Sequence, residues 1–131
     1  MTPEILMEKA KEAMLKAYAP YSGYKVGAAL LCKDGTLYQG CNIENASFSP
    51  TNCAERTAFF KAIYDGKWDF EAIAVCGGKD GVITGPFPPC GVCRQVMREF
   101  CQQDFAIYII GANDTYERYT LAQLLPQSFS F

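Results

Sequence analysis

Histidine is missing altogether from the 131-residue chain. Its absence removes the Ser-His-Asp and Cys-His nucleophilic systems, the His-Glu-x-x-His zinc proteases and every imidazole proton shuttle. A general acid or base working near neutral pH must then be a carboxylate, Lys, Tyr or Cys. An excess of positive charge is also lacking, since 12 basic residues stand against 14 acidic ones. The chain therefore carries no electrostatic footprint for nucleic acid or an anionic membrane, and the expected ligand is a small molecule. No apolar run is long enough to cross a bilayer, and residues 1–17, with Glu4, Glu8, Lys9, Lys11, Glu12 and Lys16, lack the apolar centre of a secretory signal. The expectation is a soluble cytoplasmic protein with one domain over residues 1–131.

Seven cysteines are present, an odd number. Without a secretory signal they read as metal ligands or buried thiols rather than as a disulfide framework. Cys32, Cys41, Cys76 and Cys101 lie in or beside apolar segments and read as inert core thiols. Cys53, Cys90 and Cys93 are left for chemistry.

Thr2, Pro3 and Glu4 make a favourable start for a first helix, whose apolar face is Leu6, Ala10, Ala13, Met14 and Ala17. Val26 to Cys32 reads as a strand, and Asp34-Gly35 turns it into an antiparallel return over Leu37 to Ile43. A second helix starts near Cys53, with Ala58, Phe59, Ala62 and Ile63 inside, and Phe70 to Cys76 is a buried strand. Gly77 to Pro89, rich in Gly and Pro, reads as a loop. A third helix begins at Cys90 or Gly91, with Val92, Val96, Met97 and Phe100 as its inner face. Phe105 to Ile110 and Tyr116 to Tyr119 are strands around an Asn113-Asp114 turn, and Thr120 with Gln123 fits a capping box for a short last helix. Strands joined through helices should be largely parallel. This order predicts an α/β fold, a three-layer α/β/α arrangement around a mixed five-stranded sheet.

Cys90 and Cys93, three apart at a helix start, can aim both sulfurs at one point in front of the first turn. Cys53 supplies a third ligand if the two helices begin side by side. Residues two apart in a helix diverge, so Cys53 and Glu55 share a site only if it lies over the helix end. Three thiols with a non-ligating Glu fit a catalytic zinc, one Zn²⁺ per chain, whose fourth place is left to water. A structural four-cysteine site recruiting Cys101 or Cys76, or three unrelated core thiols, are the plainer alternatives. A Cys-x-Glu followed by Pro-Cys-x-x-Cys is the all-cysteine form of the zinc deaminase signature. Glu55 is then the proton carrier between water, the ring nitrogen beside the carbon under attack and the departing ammonia. Three thiolates leave the zinc site net negative, so Arg56 is expected to donate to the sulfurs and offset their charge.

These residues bring the chain into a resemblance that spans nearly its whole length. Ala19-Pro20-Tyr21-Ser22, Val26-Gly27-Ala28-Ala29-Leu30, Gly40-Cys41-Asn42-Ile43-Glu44-Asn45, Cys53-Ala54-Glu55-Arg56 and Pro89-Cys90-Gly91-Val92-Cys93-Arg94-Gln95 follow one another as in the cytidine deaminases. The form it resembles is the short, homotetrameric one with three cysteine zinc ligands. That resemblance implies hydrolytic deamination of cytidine and 2′-deoxycytidine in pyrimidine salvage. It further implies that Asn42 and Glu44 bind the ribose hydroxyls, that the Ala54 amide receives the pyrimidine carbonyl, and that Tyr24, where Phe is often found, walls the base. Ala46 to Phe48 and Phe129 are implied to complete a neighbouring subunit's active site. Rival readings are a deaminase of the nucleoside antibiotic blasticidin S and a non-catalytic zinc-stabilised binding module.

Overall fold

The computed structural model describes residues 1–131. Helix α1 spans Pro3–Met14 and starts as its sequence demands: the Thr2 hydroxyl accepts the Ile5 N–H, and Pro3 occupies the first turn, where no amide is needed. Leu6, Met7, Ala10, Ala13 and Met14 form its buried face, whereas Ala17 lies beyond the helix and is only half-buried. Strand β1 (Tyr24–Cys32) turns at Asp34-Gly35 into β2 (Leu37–Cys41), two residues shorter than the apolar pattern suggested. Beyond Cys41 the chain stays extended, and Ile43 bridges Tyr18 on one side and Asn52 on the other. Helix α2 (Ala54–Tyr64), strand β3 (Phe70–Lys79), helix α3 (Gly91–Phe100) and strand β4 (Ala106–Ile110) follow. A turn with positive φ at Asn113 and Asp114 leads to β5 (Tyr116–Thr120), and Thr120 with Gln123 closes the capping box of α4 (Leu121–Leu124).

The five strands lie in the order β2-β1-β3-β4-β5. Strand β1 is antiparallel to both neighbours, β3 and β4 are parallel, and β5 is antiparallel to β4. Strands β2, β3 and β4 therefore run one way, as helix-linked strands should, yet only β3 and β4 are adjacent and parallel. The hairpin partner β1 fills the space between β2 and β3. The sheet is the mixed five-stranded one expected, although β3 and β4 are its one adjacent parallel pair.

Side chains alternate across the sheet with period two. Ala28, Leu30, Ile73, Val75, Ile107 and Ile109 meet α2, α3 and α4, around Phe59, whose ring stacks edge-on against Phe70 at 5.0 Å. Ala29, Leu31, Ala72, Ala74, Cys76 and Ile110 meet α1 on the other side. Two glycines set how closely the helices approach. A Cβ on Gly27 would lie 2.1 Å from the Ala10 carbonyl oxygen of α1, and one on Gly40 2.3 Å from the Ala54 carbonyl oxygen of α2. No real Cβ tolerates such contacts, so α1 and the start of α2 press directly on the sheet backbone.

Two expectations change. Strand β3 runs on through Gly77, Gly78 and Lys79, pairing with Val26, Lys25 and Tyr24, where a loop was expected. The glycines are there because other groups pass over them: a Cβ on Gly77 would touch the Phe87 ring at 2.9 Å, and one on Gly78 the Val82 carbonyl oxygen at 1.8 Å. In α3 the inner face is Cys93, Val96, Met97 and Phe100, while Val92 is exposed. The helix is rotated so that a cysteine, not Val92, points inward.

Candidate active site

Helices α2 and α3 follow the codirectional strands β2 and β3, so both start at the same edge of the sheet, at the strands' carboxyl ends. Ligand sites of open α/β sheets form at such edges. Strand β1 runs the opposite way, which brings its first residue, Tyr24, to that edge too.

Cys53 and Cys90 are the N-cap residues of α2 and α3, and neither sulfur caps its own helix. Both turn instead toward each other, at 3.8 Å, and toward Cys93 in the first turn of α3; the three sulfurs all lie within 4.8 Å of one another. Sulfurs on a tetrahedral zinc with bonds of about 2.3 Å would be about 3.8 Å apart, the separation Cys53 and Cys90 already have, so three thiols gathered this closely suit that ion. The free N–H groups of two helix starts add partial positive charge where three thiolates would gather. Cys76, beside Met14 on the α1 side of the sheet, and Cys101, at the far end of α3, are remote from the cluster, which ends the four-cysteine alternative.

The pKa of the Cys53 thiol is pushed down to about 5, first by the hydrogen bond from Cys93 and then by Arg56. The Arg56 Nη2 donates to the Cys53 sulfur at 3.1 Å, as the charge argument required. Arg56 Nε is buried with no hydrogen-bond partner. Glu55, in the first turn of α2, is the buried charged residue of the protein, 4% exposed. Burial pushes its pKa up to about 7, and the nearby Cys53 charge adds to the effect. A carboxyl poised there can both accept and release a proton near neutrality.

Cys53, Cys90, Ala54 and Glu55 form one wall of a cavity of about 310 Å³, and Ser22, Tyr24, Val26, Asn42, Glu44 and Phe87 stand around the rest. Asn42 is anchored: its Nδ2 donates to the Tyr24 carbonyl and its Oδ1 accepts the Val26 N–H, both at 2.8 Å. Glu44 accepts the Tyr21 and Ser22 N–H groups and the Ser22 hydroxyl, and these contacts, the Ser22 hydroxyl foremost, hold its carboxyl below the ordinary range. Asn42 and Glu44 thus reach one cavity from the segment after β2. Ala54, the first residue of α2, has an amide with no carbonyl one turn back to bond.

Ala46 and Phe48 are exposed and stand off the cavity, Phe48 almost fully at 90%. Phe129 is also exposed, its carbonyl accepting from Gln95 Nε2 at 3.0 Å and its ring edge-on to Phe131. Arg94, next to Cys93, donates to the Pro89 and Leu124 carbonyls. Phe87 was missed by sequence reasoning. Its ring stacks on Tyr24 with centroids 5.9 Å apart and closes the aromatic side of the cavity. An aromatic fixed between Pro86 and Pro88, just ahead of the cysteine pair, was the available signal.

Residues 1–109 match the family model described as the cytidine and deoxycytidylate deaminase zinc-binding region. The chain is 51% identical over 130 residues to a cytidine deaminase of Sporosarcina psychrophila, covering 99% of this chain and 93% of that protein. It is 47% identical over 130 residues to one from Halalkalibacterium halodurans, covering 99% and 96%. Among solved structures it superposes on a cytidine deaminase from Burkholderia pseudomallei with a TM-score of 0.91 at 46% identity, over 98% of this chain and 100% of that one. With the zinc-fitting sulfurs and the buried glutamate at one sheet edge, these likenesses have one meaning: the chain belongs to the cytidine and deoxycytidylate deaminase family.

Proposed function

We propose that the protein catalyses the hydrolytic deamination of cytidine and 2′-deoxycytidine, giving uridine or 2′-deoxyuridine and ammonia. The observation that carries this reading is the juxtaposition of three cysteine sulfurs with the buried Glu55 at the floor of a nucleoside-sized cavity. Buried carboxyls are costly, and one held beside the sulfurs in the wall of an open cavity counts against a purely structural metal module.

Cys53, Cys90 and Cys93 hold one zinc ion, which supplies Lewis acidity and makes water acidic enough to act as a nucleophile near neutral pH. Glu55 accepts the proton that water gives up as its oxygen bonds to C4 of the pyrimidine. It delivers that proton to the adjacent ring nitrogen, then takes the proton of the new C4 hydroxyl and passes it to the C4 amine, which leaves as ammonia as the C4 carbonyl forms. One carboxyl serves every step because the transfers are sequential. The Ala54 N–H donates to the pyrimidine carbonyl, fixing the ring against the start of α2. Tyr24 and Phe87 cover the ring's face, while Glu44 and Asn42 take the sugar hydroxyls. Arg56 offsets thiolate charge and so preserves the acidity the metal confers.

Ala46, Phe48 and Phe129 serve a neighbouring subunit's cavity in a homotetramer. Their exposure away from their own cavity supports this reading. A cytoplasmic role in pyrimidine salvage fits the substrate, and no helix is long and apolar enough to cross a membrane.

The deciding experiment follows the ultraviolet change of cytidine, 2′-deoxycytidine, cytosine and blasticidin S on mixing with the protein, alongside zinc stoichiometry. Turnover of both nucleosides but not of cytosine, at one zinc per chain, is the expected result. Turnover of blasticidin S alone, or of nothing, overturns the reading.

A further inference from the structure

At the mouth of the cavity lies a network that neither the metal chemistry nor the base contacts account for, and Ser22 is its node. The Ser22 hydroxyl donates to Glu44 Oε2, while the Ser22 and Tyr21 N–H groups donate to Glu44 Oε1 at 3.1 and 3.0 Å. The same hydroxyl oxygen accepts the Tyr24 N–H at 3.0 Å. On the far side, Lys79 Nζ donates to the Ser22 carbonyl at 2.8 Å and lies 5.3 Å from the centroid of the Tyr24 ring. Next to it, the Asp80 N–H donates to the Gly23 carbonyl at 2.7 Å. The end of β3 therefore pins the Tyr21–Gly23 turn from outside, and the turn grips Glu44 from inside.

Glu44 needs that grip. It sits past the end of β2, in a segment whose backbone is held by the Tyr18 bridge but whose side chain has no helix or strand neighbour to fix it. An unheld glutamate loses rotamer freedom when it binds a ligand, a cost that preorganisation removes. A carboxylate offers about four acceptor directions. Three are filled by the turn, leaving about one for a ligand hydroxyl, a restriction that makes the contact selective as well as rigid.

We propose that Ser22 is the positioning residue for Glu44, and that Lys79 holds Ser22 in place, so that the carboxylate meets a single sugar hydroxyl of the substrate. The inference rests on the reading of Glu44 as the sugar contact. Ser22 touches the carboxylate and not the reacting atoms.

The test compares the unaltered enzyme with Ser22→Ala, Ser22→Thr, Glu44→Gln and the Ser22→Ala/Glu44→Gln pair, on 2′-deoxycytidine and on 2′,3′-dideoxycytidine. Loss of a hydrogen bond to a charged group predicts a KM for 2′-deoxycytidine about tenfold higher in Ser22→Ala, with kcat within about twofold and zinc content unchanged. Ser22→Thr, which keeps the hydroxyl, restores most of the loss, and the paired variant is no worse than Glu44→Gln alone. On 2′,3′-dideoxycytidine, Ser22→Ala and the unaltered enzyme give the same KM. If Glu44→Gln raises KM and Ser22→Ala does not, the positioning role is overturned while the sugar reading stands. If Glu44→Gln changes nothing, the sugar reading fails and the inference with it. An equal rise on both substrates makes Ser22 a general structural residue and overturns the proposal. Should Ser22→Ala not fold, Lys79→Ala removes the outer latch instead; a KM for 2′-deoxycytidine about threefold higher, absent on the dideoxy substrate, is expected, and an unchanged KM overturns the proposal.

Discussion

The two sides of the cavity are built by opposite means. On the metal side, every acting group belongs to the first turn of a helix or to the residue that caps it: Cys53, Ala54, Glu55 and Arg56 at α2, Cys90 and Cys93 at α3. These positions are set by regular backbone pressed against the sheet at Gly40. On the substrate side, Ser22, Asn42, Glu44 and Phe87 all stand on irregular chain, before or after strands, and are fixed one hydrogen bond or ring contact at a time. Chemistry that must hold sub-ångström geometry is carried by helices; recognition, which must differ between substrates, is carried by loops that can vary without disturbing the sheet.

If that division is real, substitutions on the two sides separate into different kinetic parameters. The largest effect belongs to Glu55→Gln, which is expected to retain zinc and substrate affinity while kcat falls by about 10³-fold or more; single-turnover measurements with zinc analysis check it, and a loss of less than tenfold removes Glu55 from the proton path. Arg56→Ala follows, with zinc affinity about 10- to 100-fold weaker, read by competition against a chromogenic chelator, and KM per zinc-loaded site little changed. Unaltered zinc affinity and turnover together would remove its charge-offsetting role. On the opposite side, Phe87→Ala should raise KM for cytidine about tenfold and leave zinc binding alone. A variant that instead sheds zinc would show that the two sides are not independent. The smallest effect is that of Tyr24→Phe, which keeps the ring stacked on Phe87 and should change kcat/KM by less than about twofold.

The same contrast explains what could be read from the chain alone. Cys53, Glu55, Cys90 and Cys93 announce themselves because thiols at those spacings have few other uses, and the helix starts that carry them follow from local rules. A mixed five-stranded sheet was accessible through the hairpin at Asp34-Gly35 and the helical crossovers; the order of its strands was read only from the structure. Asn42 and Glu44 came only through family resemblance, since an amide and an acid in a polar segment are chemically ordinary. Phe87 and the last residues of β3 were lost for one shared reason. Glycine normally weakens a strand, so Gly77 and Gly78 ended the expected one; in the folded protein they are needed because the Phe87 ring and the Val82 backbone pass across them. Val92 was placed inward because it is apolar, but the helix is turned by the sulfur of Cys93.

Arg94 joins places that are far apart in the chain. Its Nε donates to the Pro89 carbonyl at 2.8 Å, directly before the first cysteine of α3, and its Nη1 to the Leu124 carbonyl at 2.7 Å, at the close of the last helix. Gln95 and Arg98 continue the row to Phe129, Ser128 and Ser130. These hydrogen bonds tie the metal loop to the chain's final turn, so the two are expected to open together. Metal loading should therefore slow amide exchange in α4, well away from the sulfurs.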